Sequence, residues 1–499
     1  VKSVQQVQAK STKELKHQTG KKRMIWPLRK LVNDFADKGL VDILPVWLAS
    51  PEMVSSIFPL TEGLFDIVIF DEASQLTVES GMPSVYRGKQ IVVAGDEKQL
   101  QPSNLFRAGY ADEEDEEEAK FDTDESISLL NLAKRRFPAK ILHWHYRSKY
   151  EELINFSNHA FYNGYVQIAP NVTPFREPPG IVWKRVEGRW LNQSNEVEAL
   201  EIVSQLKRTL QQQPGKTVGI ITFNAKQQSK VQDVIEAVAA EDEEFRTLYN
   251  ELMARDLDER LFVKNIENVQ GDERDIIIFS IGYAKNEEGK VYNRFGSLNQ
   301  RGGENRLNVA VTRAKEGIIV VSSIEPEDLN IANTSERGPK LLKSYLKYAR
   351  AVFGGKLEEI HAVIKEINEA VNTHVVQQTL HFDSPFEEQV YQQLRNLGYE
   401  ITTQVGMSGY RIDMAVVHPN DRSRYILGVE CDGAMYHSSP SARERDVYRQ
   451  RYLESRGWKI ERIWSRNWWR NPVNELERID RRIKELVRDE EVREVLEVR

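Results

Sequence analysis

The chain has 499 residues, of which 40% are hydrophobic and 29% are charged, a balance that is typical of soluble globular domains. Its single cysteine, Cys431, excludes an internal disulfide and a zinc site built from cysteines, so we expect a reducing, cytoplasmic setting. The formal net charge of −7 argues weakly against a general polyanion binder, and no apolar run reaches the roughly 18–20 residues of a membrane span.

Charge is distributed unevenly along the chain. Residues 1–32 hold nine lysines and arginines against one acid, and residues 112–118 are seven consecutive acids, which we expect in a solvated loop over 111–125. Residues 441–470 hold nine lysines and arginines against four acids and include four tryptophans. Because local patches decide contacts with nucleic acids, these basic segments remain compatible with a nucleic-acid partner.

In chain order, the first informative element is a strand at Phe65–Phe70, which reads FDIVIF and is followed by Asp71 and Glu72. A second strand near residues 90–94 leads into a polar loop that contains Gln99. We expect both strands to be buried, and parallel strands bind ligands at their carboxyl ends. Asp71 is then either a Mg²⁺ ligand or a helix N-cap, and the polar loop after the second strand favours a phosphate site.

Six ordered motifs resemble those of superfamily 1 helicases, in the branch that includes the nonsense-mediated-decay helicase. The motifs are DEASQ, GDEKQLQP, HWHYRS, GIITFNAKQ, NVQGDERDIIIFS and RLNVAVTRAK, and the upstream segment WLASPEMVSSIFP resembles a DNA-contacting loop. The resemblance covers about residues 45–350. It implies two RecA-like motor domains that use ATP and Mg²⁺ to translocate on or unwind DNA, with RNA as the alternative track.

Phosphoryl transfer depends mostly on positioning and on stabilisation of charge. In this chain the resemblance implies that Asp71 holds Mg²⁺ and that Glu72 activates the attacking water. The resemblance also implies further residues that contact the water, the phosphates or the ribose: Gln75, Gln99, Arg147, Gln227, Gly271, Glu273 and Arg313. Arg147 and Arg313 have the motif positions of arginine fingers, which require a donor fork that is always charged.

A P-loop, with the pattern G-x-x-x-x-G-K-[ST], is missing from the printed sequence. The Gly20-Lys21 pair has no leading glycine and no following serine or threonine. In the family this loop lies well upstream of DEASQ, so we expect it in an upstream half of the helicase, in the same or a partner polypeptide. We therefore interpret residues 1–105 as the C-terminal part of a first motor domain.

Residues 106–350 are predicted to form the second RecA-like domain. Strands near 181–186, 217–222, 275–281 and 317–322 alternate with helical segments, which indicates a doubly wound parallel sheet. Asn195 or Ser194 is the predicted cap of one of these helices. A charged helical linker is predicted over residues 351–380.

A second group of acids lies in residues 381–470. Ser384 and Glu387 have the spacing of a capping box, and helix and strand patterns follow. Four acids occur in order on these elements: Glu387, Asp413, Glu430 and Asp432. Acids on neighbouring buried strands can hold Mg²⁺ and activate a water against a phosphodiester, and satisfied buried acids are the alternative.

This segment resembles the PD-(D/E)xK nuclease superfamily, with very-short-patch-repair-like domains as the nearest pattern. The pattern ExDG…H matches four positions: Glu430, Asp432, Gly433 and His437. The resemblance implies a metal site at Asp413 and Glu430 and catalytic roles for all four acids. The usual lysine of the signature is Asp432 here, so Lys459 or a water would replace it, or the domain is inactive. Residues 471–499 are predicted to be a helical tail.

The predicted fold class is α/β, with RecA-like doubly wound sheets followed by a restriction-endonuclease-like domain. The predicted function is that of the C-terminal part of an ATP-dependent DNA helicase or translocase fused to a Mg²⁺-dependent nuclease, without a membrane partner. The alternative is a regulatory scaffold that binds nucleic acid through an inactive motor and a degenerate nuclease. The missing P-loop and the aspartate at 432 favour the alternative, while the complete set of acids and arginines counts against it.

Overall fold

The computed structural model describes eight stretches of the chain: residues 13–102, 127–174, 176–291, 295–331, 334–370, 384–407, 411–432 and 440–497. The acidic run at 111–125, Gly433 and His437 lie outside the described residues. The chain divides into two compact units, residues 1–141 and 142–499, each of which combines helices with parallel strands.

Unit 1 contains a two-stranded parallel sheet among short helices. Its described elements include α1 (Leu28–Phe35), α2 (Leu40–Ile43), α3 (Pro51–Ile57), β1 (Phe65–Phe70), α4 (Val78–Tyr86), β2 (Gly88–Val93) and α5 (Leu129–Arg136). Side chains of Ser50, Thr77 and Ser128 accept hydrogen bonds from amides of the first turns of α3, α4 and α5. These caps satisfy amides that have no partner within a helix, and they fix where the three helices begin.

The two faces of the β1–β2 sheet differ in burial. Val68 and Phe70 point towards a small core with Ala73 and Leu129. On the other face the alternating residues are open, and Ile69 is 69% exposed. The expectation that β1 is buried was therefore wrong for one face of the sheet. Within the described residues, α5 and the turn after β1 cover only the opposite face.

Unit 2 is built on a five-stranded, wholly parallel sheet with strand order β3-β7-β6-β4-β5. The strands are β3 (Ile181–Arg185), β4 (Val218–Thr222), β5 (Phe262–Asn265), β6 (Arg274–Ser280) and β7 (Ala314–Ser322). The helices of this part are α6 (Glu152–Tyr162), α7 (Glu196–Gln212), α8 (Ala225–Glu241), α9 (Glu243–Met253), α10 (Gly303–Val311), α11 (Arg337–Phe353) and α12 (Leu357–Ala370). The predicted α/β class is confirmed, and β5 is a strand that the sequence reading missed.

Apolar runs and caps explain this layer. Every residue of β4 is buried, because helices cover both faces of the sheet. On one face α7 contributes Ile202 and Leu206, which pack with Ile220 and Ile278 from the strands. Asn195 caps α7 by accepting a hydrogen bond from the Glu198 amide, as one of the two predicted candidates.

The second sheet of unit 2 has four strands in the order β11-β10-β9-β8. Its elements are α13 (Pro385–Asn396), β8 (Ile401–Val405), β9 (Ile412–His418), β10 (Asp421–Asp432), α14 (Pro440–Ser455), β11 (Ile460–Trp464), α15 (Ser465–Arg470) and α16 (Pro472–Glu497). Strand β10 pairs antiparallel with β9 and parallel with β11. A core of α13, α16 and the strands, with Leu394, Val429 and Ile479 fully buried, holds this sheet together.

The two sheets of unit 2 meet in an aromatic contact, here termed the inter-sheet junction. It consists of Trp144, His145, Tyr146, Ala169, Pro170 and Val172 on the first side and Tyr425, Tyr452, Arg456 and Trp458 on the second. The Tyr452 hydroxyl donates to the His145 carbonyl at 2.5 Å, and the Trp458 indole donates to the Pro170 carbonyl at 2.8 Å. Directed hydrogen bonds to backbone carbonyls fix the relative position of the two layers.

None of the helices in the described part of the chain combines the length and the apolar character that crossing a bilayer would require.

We expect Trp458→Ala to destabilise unit 2 by about 3–5 kcal/mol, because a fully buried ring and its hydrogen bond are lost from the junction. Urea unfolding followed by circular dichroism measures the effect. Trp469→Ala is the matched control, since Trp469 is 60% exposed and its loss should cost about 1 kcal/mol or less. Equal shifts of the urea midpoint in the two variants would contradict the junction's structural role.

Candidate nucleotide and nuclease sites

The turns that follow β1 and β2 are hydrogen-bonded to each other. The Ala94 amide donates to the Phe70 carbonyl at 2.8 Å, and the Ala73 amide donates to the Ala94 carbonyl at 2.9 Å. A Cβ at Gly95 would lie 3.0 Å from the amide nitrogens of Ala73 and Ser74, a tighter contact than most side chains make, so glycine favours this close approach. Local packing therefore brings the residues after both strands to one edge of the sheet.

Four predicted residues of unit 1 follow these strand ends: Asp71, Glu72, Gln75 and Gln99. The carboxylate of Asp71 is exposed and accepts a hydrogen bond from the Glu72 amide at 3.0 Å. Asp71 does not cap a helix, because α4 begins seven residues later and Thr77 is its cap. Gln99 donates to the Asp96 carboxylate at 3.1 Å, which orients its amide at the same edge.

In unit 2, Arg147 is held by an acid of a second motif. Its Nε donates to Glu273 Oε2 at 2.7 Å, and Lys315 Nζ lies 2.9 Å from Glu273 Oε1. Partial burial raises the pKa of Glu273, but the hydrogen bonds from Arg147 and Lys315 outweigh it and lower the pKa to about 2. Glu273 is therefore a carboxylate at neutral pH, and it orients the guanidinium of Arg147.

Arg313 is almost completely buried beside this pair. Its Nε donates to the Val309 carbonyl at 2.8 Å, and its Nη1 lies 3.4 Å from the Asp272 carbonyl. Gly271 has a left-handed φ of +86°, and a Cβ there would meet open space. Arg147, Gly271, Glu273 and Arg313 thus gather where β6 and β7 begin, at the amino-terminal edge of the sheet.

Gln227 does not join that group. It is fully buried near the carboxyl-terminal edge of the sheet, where it accepts from the Asn195 amide at 2.7 Å and donates to the Ser280 hydroxyl at 2.9 Å. The same network holds Glu198, whose burial raises its pKa to about 7 despite hydrogen bonds from Gly282, Ser323 and Ser280. This placement gives Gln227 a packing role and does not support its predicted contact with a nucleotide.

The segment Gly215-Lys216-Thr217 carries the last three letters of a P-loop without its leading glycine. It connects α7 to β4, whereas a P-loop follows a strand and precedes a helix. Lys216 Nζ lies 2.7 Å from Glu316, and Thr217 hydrogen-bonds the Asp275 carboxylate. These contacts give the segment a structural role rather than a phosphate-binding one.

The acids of the second sheet surround the end of β10. Asp413 on β9 accepts a hydrogen bond from the Cys431 amide at 2.8 Å. Burial, and then the charges of Glu387 and Glu430, raise the pKa of Asp413 to about 7, although the hydrogen bond from Cys431 opposes the shift. Burial and the charges of Asp413 and three other acids also raise the pKa of the Cys431 thiol. The sequence therefore gathers four acids around one strand end, as predicted.

Glu387 reaches this strand end from the first turn of α13. Its Oε1 accepts from the Ser384 hydroxyl at 3.0 Å, and Gln404 Nε2 lies 3.4 Å from its Oε2. The Ser384 hydroxyl also accepts from the Glu387 amide at 3.3 Å. Ser384 is therefore the N-cap of α13, which is one half of the predicted capping box, and its hydroxyl also orients the carboxylate that the site would use.

Two arginines that the sequence reading did not place in the site contact the remaining acids. Arg449 of α14 lies 3.1 Å from Glu430, and Arg462 of β11 lies 3.6 Å from Glu430 and 3.4 Å from Asp432. Lys459, the predicted replacement for the missing lysine, is exposed. It lies just before β11, whereas Arg462, further along the strand, is the residue that pairs with Glu430. The signal available in the sequence was the arginine-rich segment that follows the acids.

A divalent cation fits the chemistry of this donor set. The oxygens of Asp413 and Glu430 are the hard donors that Mg²⁺ prefers. The pKa of Asp413 is raised mainly by its burial, and the charges of Glu387 and Glu430 add to the shift. No group of three or more His, Cys, Asp or Glu side chains in the described stretches is arranged to hold a metal ion. Arg449 and Arg462 lie within ion-pair distance of the oxygens of Glu430 that a cation would need.

His145 offers a pH test of how firmly the Arg147 segment is packed. Burial, and then the charges of Arg147, Arg456 and Arg313, lower the pKa of His145 to about 3. An unfolded histidine titrates near pH 6.5, so between about pH 6.5 and pH 3 only the unfolded state binds the proton, and stability falls as the pH is lowered.

We expect the stability advantage of the wild type over His145→Gln to shrink by roughly 2 kcal/mol between pH 7 and pH 5. The glutamine can still accept from the Ser148 amide, which donates to His145 Nε2 at 2.9 Å, but it has no proton to exclude. Urea unfolding of both proteins over this pH range measures the difference. An advantage that is constant with pH would contradict the burial of a neutral imidazole.

Comparisons with known proteins match two segments of the chain. The family model AAA_12, an AAA domain, matches residues 125–325, and the family model REase_MTES_1575 matches residues 386–483. Two uncharacterised ATP-dependent helicases, from Mycoplasma pneumoniae and Mycoplasma genitalium, are each 33% identical over 88% of this chain and 38% of their own length. The DNA polymerase alpha-associated DNA helicase A of Saccharomyces cerevisiae is 25% identical over 52% of this chain and 39% of its own length.

The chain spans less than two fifths of the length of the Mycoplasma relatives. The matches nevertheless cover both parts of unit 2, and they agree with the ordered motifs and the parallel sheet. Over these segments the chain is similar to proteins named ATP-dependent helicases and to the REase_MTES_1575 family model.

Proposed function

We propose that this chain is the C-terminal part of an ATP-dependent DNA helicase or translocase that carries a Mg²⁺-dependent nuclease of the PD-(D/E)xK type. The observation that carries the proposal is that acids, glutamines and arginines group at three places: the ends of β1 and β2, the beginnings of β6 and β7, and the end of β10. Local packing holds each group together. The relatives named as ATP-dependent helicases support the motor, and the REase-like match supports the nuclease.

The proposed roles in unit 1 follow from the exposed edge of β1 and β2. Asp71 would hold Mg²⁺, which neutralises phosphate charge when bound, and Glu72 would take a proton from the attacking water. Gln75 and Gln99 would hydrogen-bond the water or the terminal phosphate. All four side chains follow strand ends, where open α/β sheets bind ligands.

In unit 2, Arg147 is suited to the role of an arginine finger. It is partly exposed and its guanidinium is pre-oriented by Glu273, so a phosphate can replace one carboxylate with little loss of order. Lys315 would still neutralise Glu273 after that exchange. Arg313 and Gly271 support the same edge, Arg313 through its hydrogen bonds to backbone carbonyls.

An upstream half of the motor, in the same or a partner polypeptide, would complete unit 1. Three β-branched residues are open on one face of its two-stranded sheet: Ile67, Ile69 and Val92. Parallel sheets of α/β proteins are normally covered on both faces, so this face is suited to further layers of the same domain. The P-loop would then come with those layers.

In the second sheet, Asp413 and Glu430 would hold the divalent cation, which would activate a water and polarise the phosphate. Glu387 is buried close enough to add to the negative charge felt by Asp413, and it would orient that water. Asp432 would complete the acidic edge. DNA is the proposed track, since the yeast relative is named a DNA helicase, and RNA is the alternative.

We expect Mg²⁺-dependent cleavage of single- or double-stranded DNA by the purified chain without ATP, and loss of at least about a hundredfold in rate in Asp413→Ala and Glu430→Ala. The reason is that each change removes a proposed metal ligand. Gel analysis of end-labelled DNA measures the rates.

Asp421→Ala is the matched control, because Asp421 is an ion-paired acid at the other end of β10. It should retain activity. Cleavage that survives in both site variants, or that is lost equally in the control, would contradict the assigned site. DNA binding without any cleavage would instead favour the regulatory scaffold.

We expect the purified chain by itself to hydrolyse ATP no faster than a buffer blank, because no phosphate-cradling loop is present in its sequence. A coupled assay of phosphate release, with and without DNA, measures this. Sustained turnover that disappears in Glu72→Gln would show that the chain binds and hydrolyses ATP without such a loop.

A further inference from the structure

The carboxylate of Glu430 lies between two guanidinium groups, which we term the arginine pair, Arg449 and Arg462. Arg449 Nη2 is 3.1 Å from Oε1 of Glu430, and Arg462 Nη2 is 3.6 Å from Oε2. Arg462 Nη1 also lies 3.4 Å from Asp432 Oδ2. Both oxygens of Glu430 therefore face positive charge in the free protein.

These contacts lie in a largely enclosed place. The side chain of Glu430 is 7% exposed and that of Arg462 is 16% exposed. Charges interact more strongly where water is scarce, so the arginine pair competes effectively with any cation for the same oxygens. A metal ligand that is already neutralised in this way binds a cation weakly.

The two arginines reach Glu430 from different elements. Arg462 stands directly opposite Glu430 in the register of β11 with β10. Arg449 comes from α14, where its Nη2 also donates to the Arg411 carbonyl at 2.7 Å. Arg449 remains 29% exposed, so its guanidinium is accessible to a strand that arrives at the site.

The guanidinium fork fits a phosphodiester as well as it fits a carboxylate, because both present paired anionic oxygens. A nucleic-acid strand at the site would therefore offer the arginine pair an alternative partner. Once the guanidinium groups move to phosphate, the oxygens of Glu430 become available.

We infer that Arg449 and Arg462 are the phosphate-binding residues of this site, and that they transfer from Glu430 to the backbone of a bound strand. The inference rests on the proposed nuclease function. In the free protein the arginine pair keeps Glu430 from a divalent cation. With a strand bound, Glu430 and Asp413 hold the cation, so the cation and the nucleic acid bind cooperatively and each raises the affinity for the other by the same factor.

Mn²⁺ is a suitable probe because it prefers oxygen ligands, and electron paramagnetic resonance of the free ion gives its affinity for the full chain. The affinity is measured for the chain by itself, for the chain with a short phosphodiester oligonucleotide, and for the chain with the same sequence as an uncharged methylphosphonate. We expect the phosphodiester to raise Mn²⁺ affinity about tenfold and the methylphosphonate to leave it unchanged. Fluorescence anisotropy should show the same factor for the effect of Mn²⁺ on oligonucleotide binding.

Arg449→Ala and Arg462→Ala should each bind Mn²⁺ several-fold more tightly than the wild type without nucleic acid, and the oligonucleotide should bind them more weakly. Arg424→Ala is the matched control, because Arg424 is a similarly buried arginine paired with Asp421 and Glu490 at the far end of β10. Arg462→Lys keeps the charge without the fork and serves if the alanine variant does not fold.

Unchanged or weaker Mn²⁺ binding in both alanine variants would overturn the transfer and leave the nuclease site standing. Mn²⁺ binding that the methylphosphonate raises as much as the phosphodiester would overturn it too. No Mn²⁺ binding by the wild type or any variant, with or without oligonucleotide, would overturn the proposed metal-dependent nuclease as well. Tighter binding in the alanine variants, with a smaller effect of the oligonucleotide, supports the transfer.

Discussion

The hydroxyl of Tyr452 joins the two sheets of unit 2. It donates to the His145 carbonyl and accepts from the Ala169 amide at 3.4 Å, while the ring of Trp144 packs edge-on against it at 5.0 Å. Arg456 donates to the next carbonyl, that of Tyr146. The residue that follows in the chain is the proposed arginine finger, so the helix of the small sheet fixes the backbone from which that finger extends.

Both candidate sites of unit 2 use the same electrostatic arrangement. Arg147 forms an ion pair with Glu273, and the arginine pair lies within ion-pair distance of Glu430. In each case a buried or half-buried charge is compensated in the free protein, which avoids the large cost of an isolated ion. A carboxylate also holds the guanidinium in the planar orientation that phosphate needs, so the resting contact prepares the functional one.

Much of this arrangement follows from local patterns. Four of the five strands of the parallel sheet, the cap at Asn195 and the four acids around β10 could be predicted, because periodicity, capping chemistry and strand-end acids are local signals. Three features could not. The open face with Ile69 depends on what covers a sheet, the place of Gln227 depends on which edge its strand presents, and the pairing of Arg462 with Glu430 depends on the register of distant strands. Those are tertiary properties. The strand that was missed, β5, is only four residues long and gives little periodic signal.

Cys431 lies between Glu430 and Asp432, and it is the single cysteine of the sequence. Burial and the surrounding acids raise its pKa, so its thiol is a poor nucleophile while the strand end keeps this conformation. Any rearrangement that draws positive charge or solvent towards β10 would make it more reactive. The chain thus contains its own chemical reporter, because the rate of thiol modification would follow the opening of this strand end without an added label.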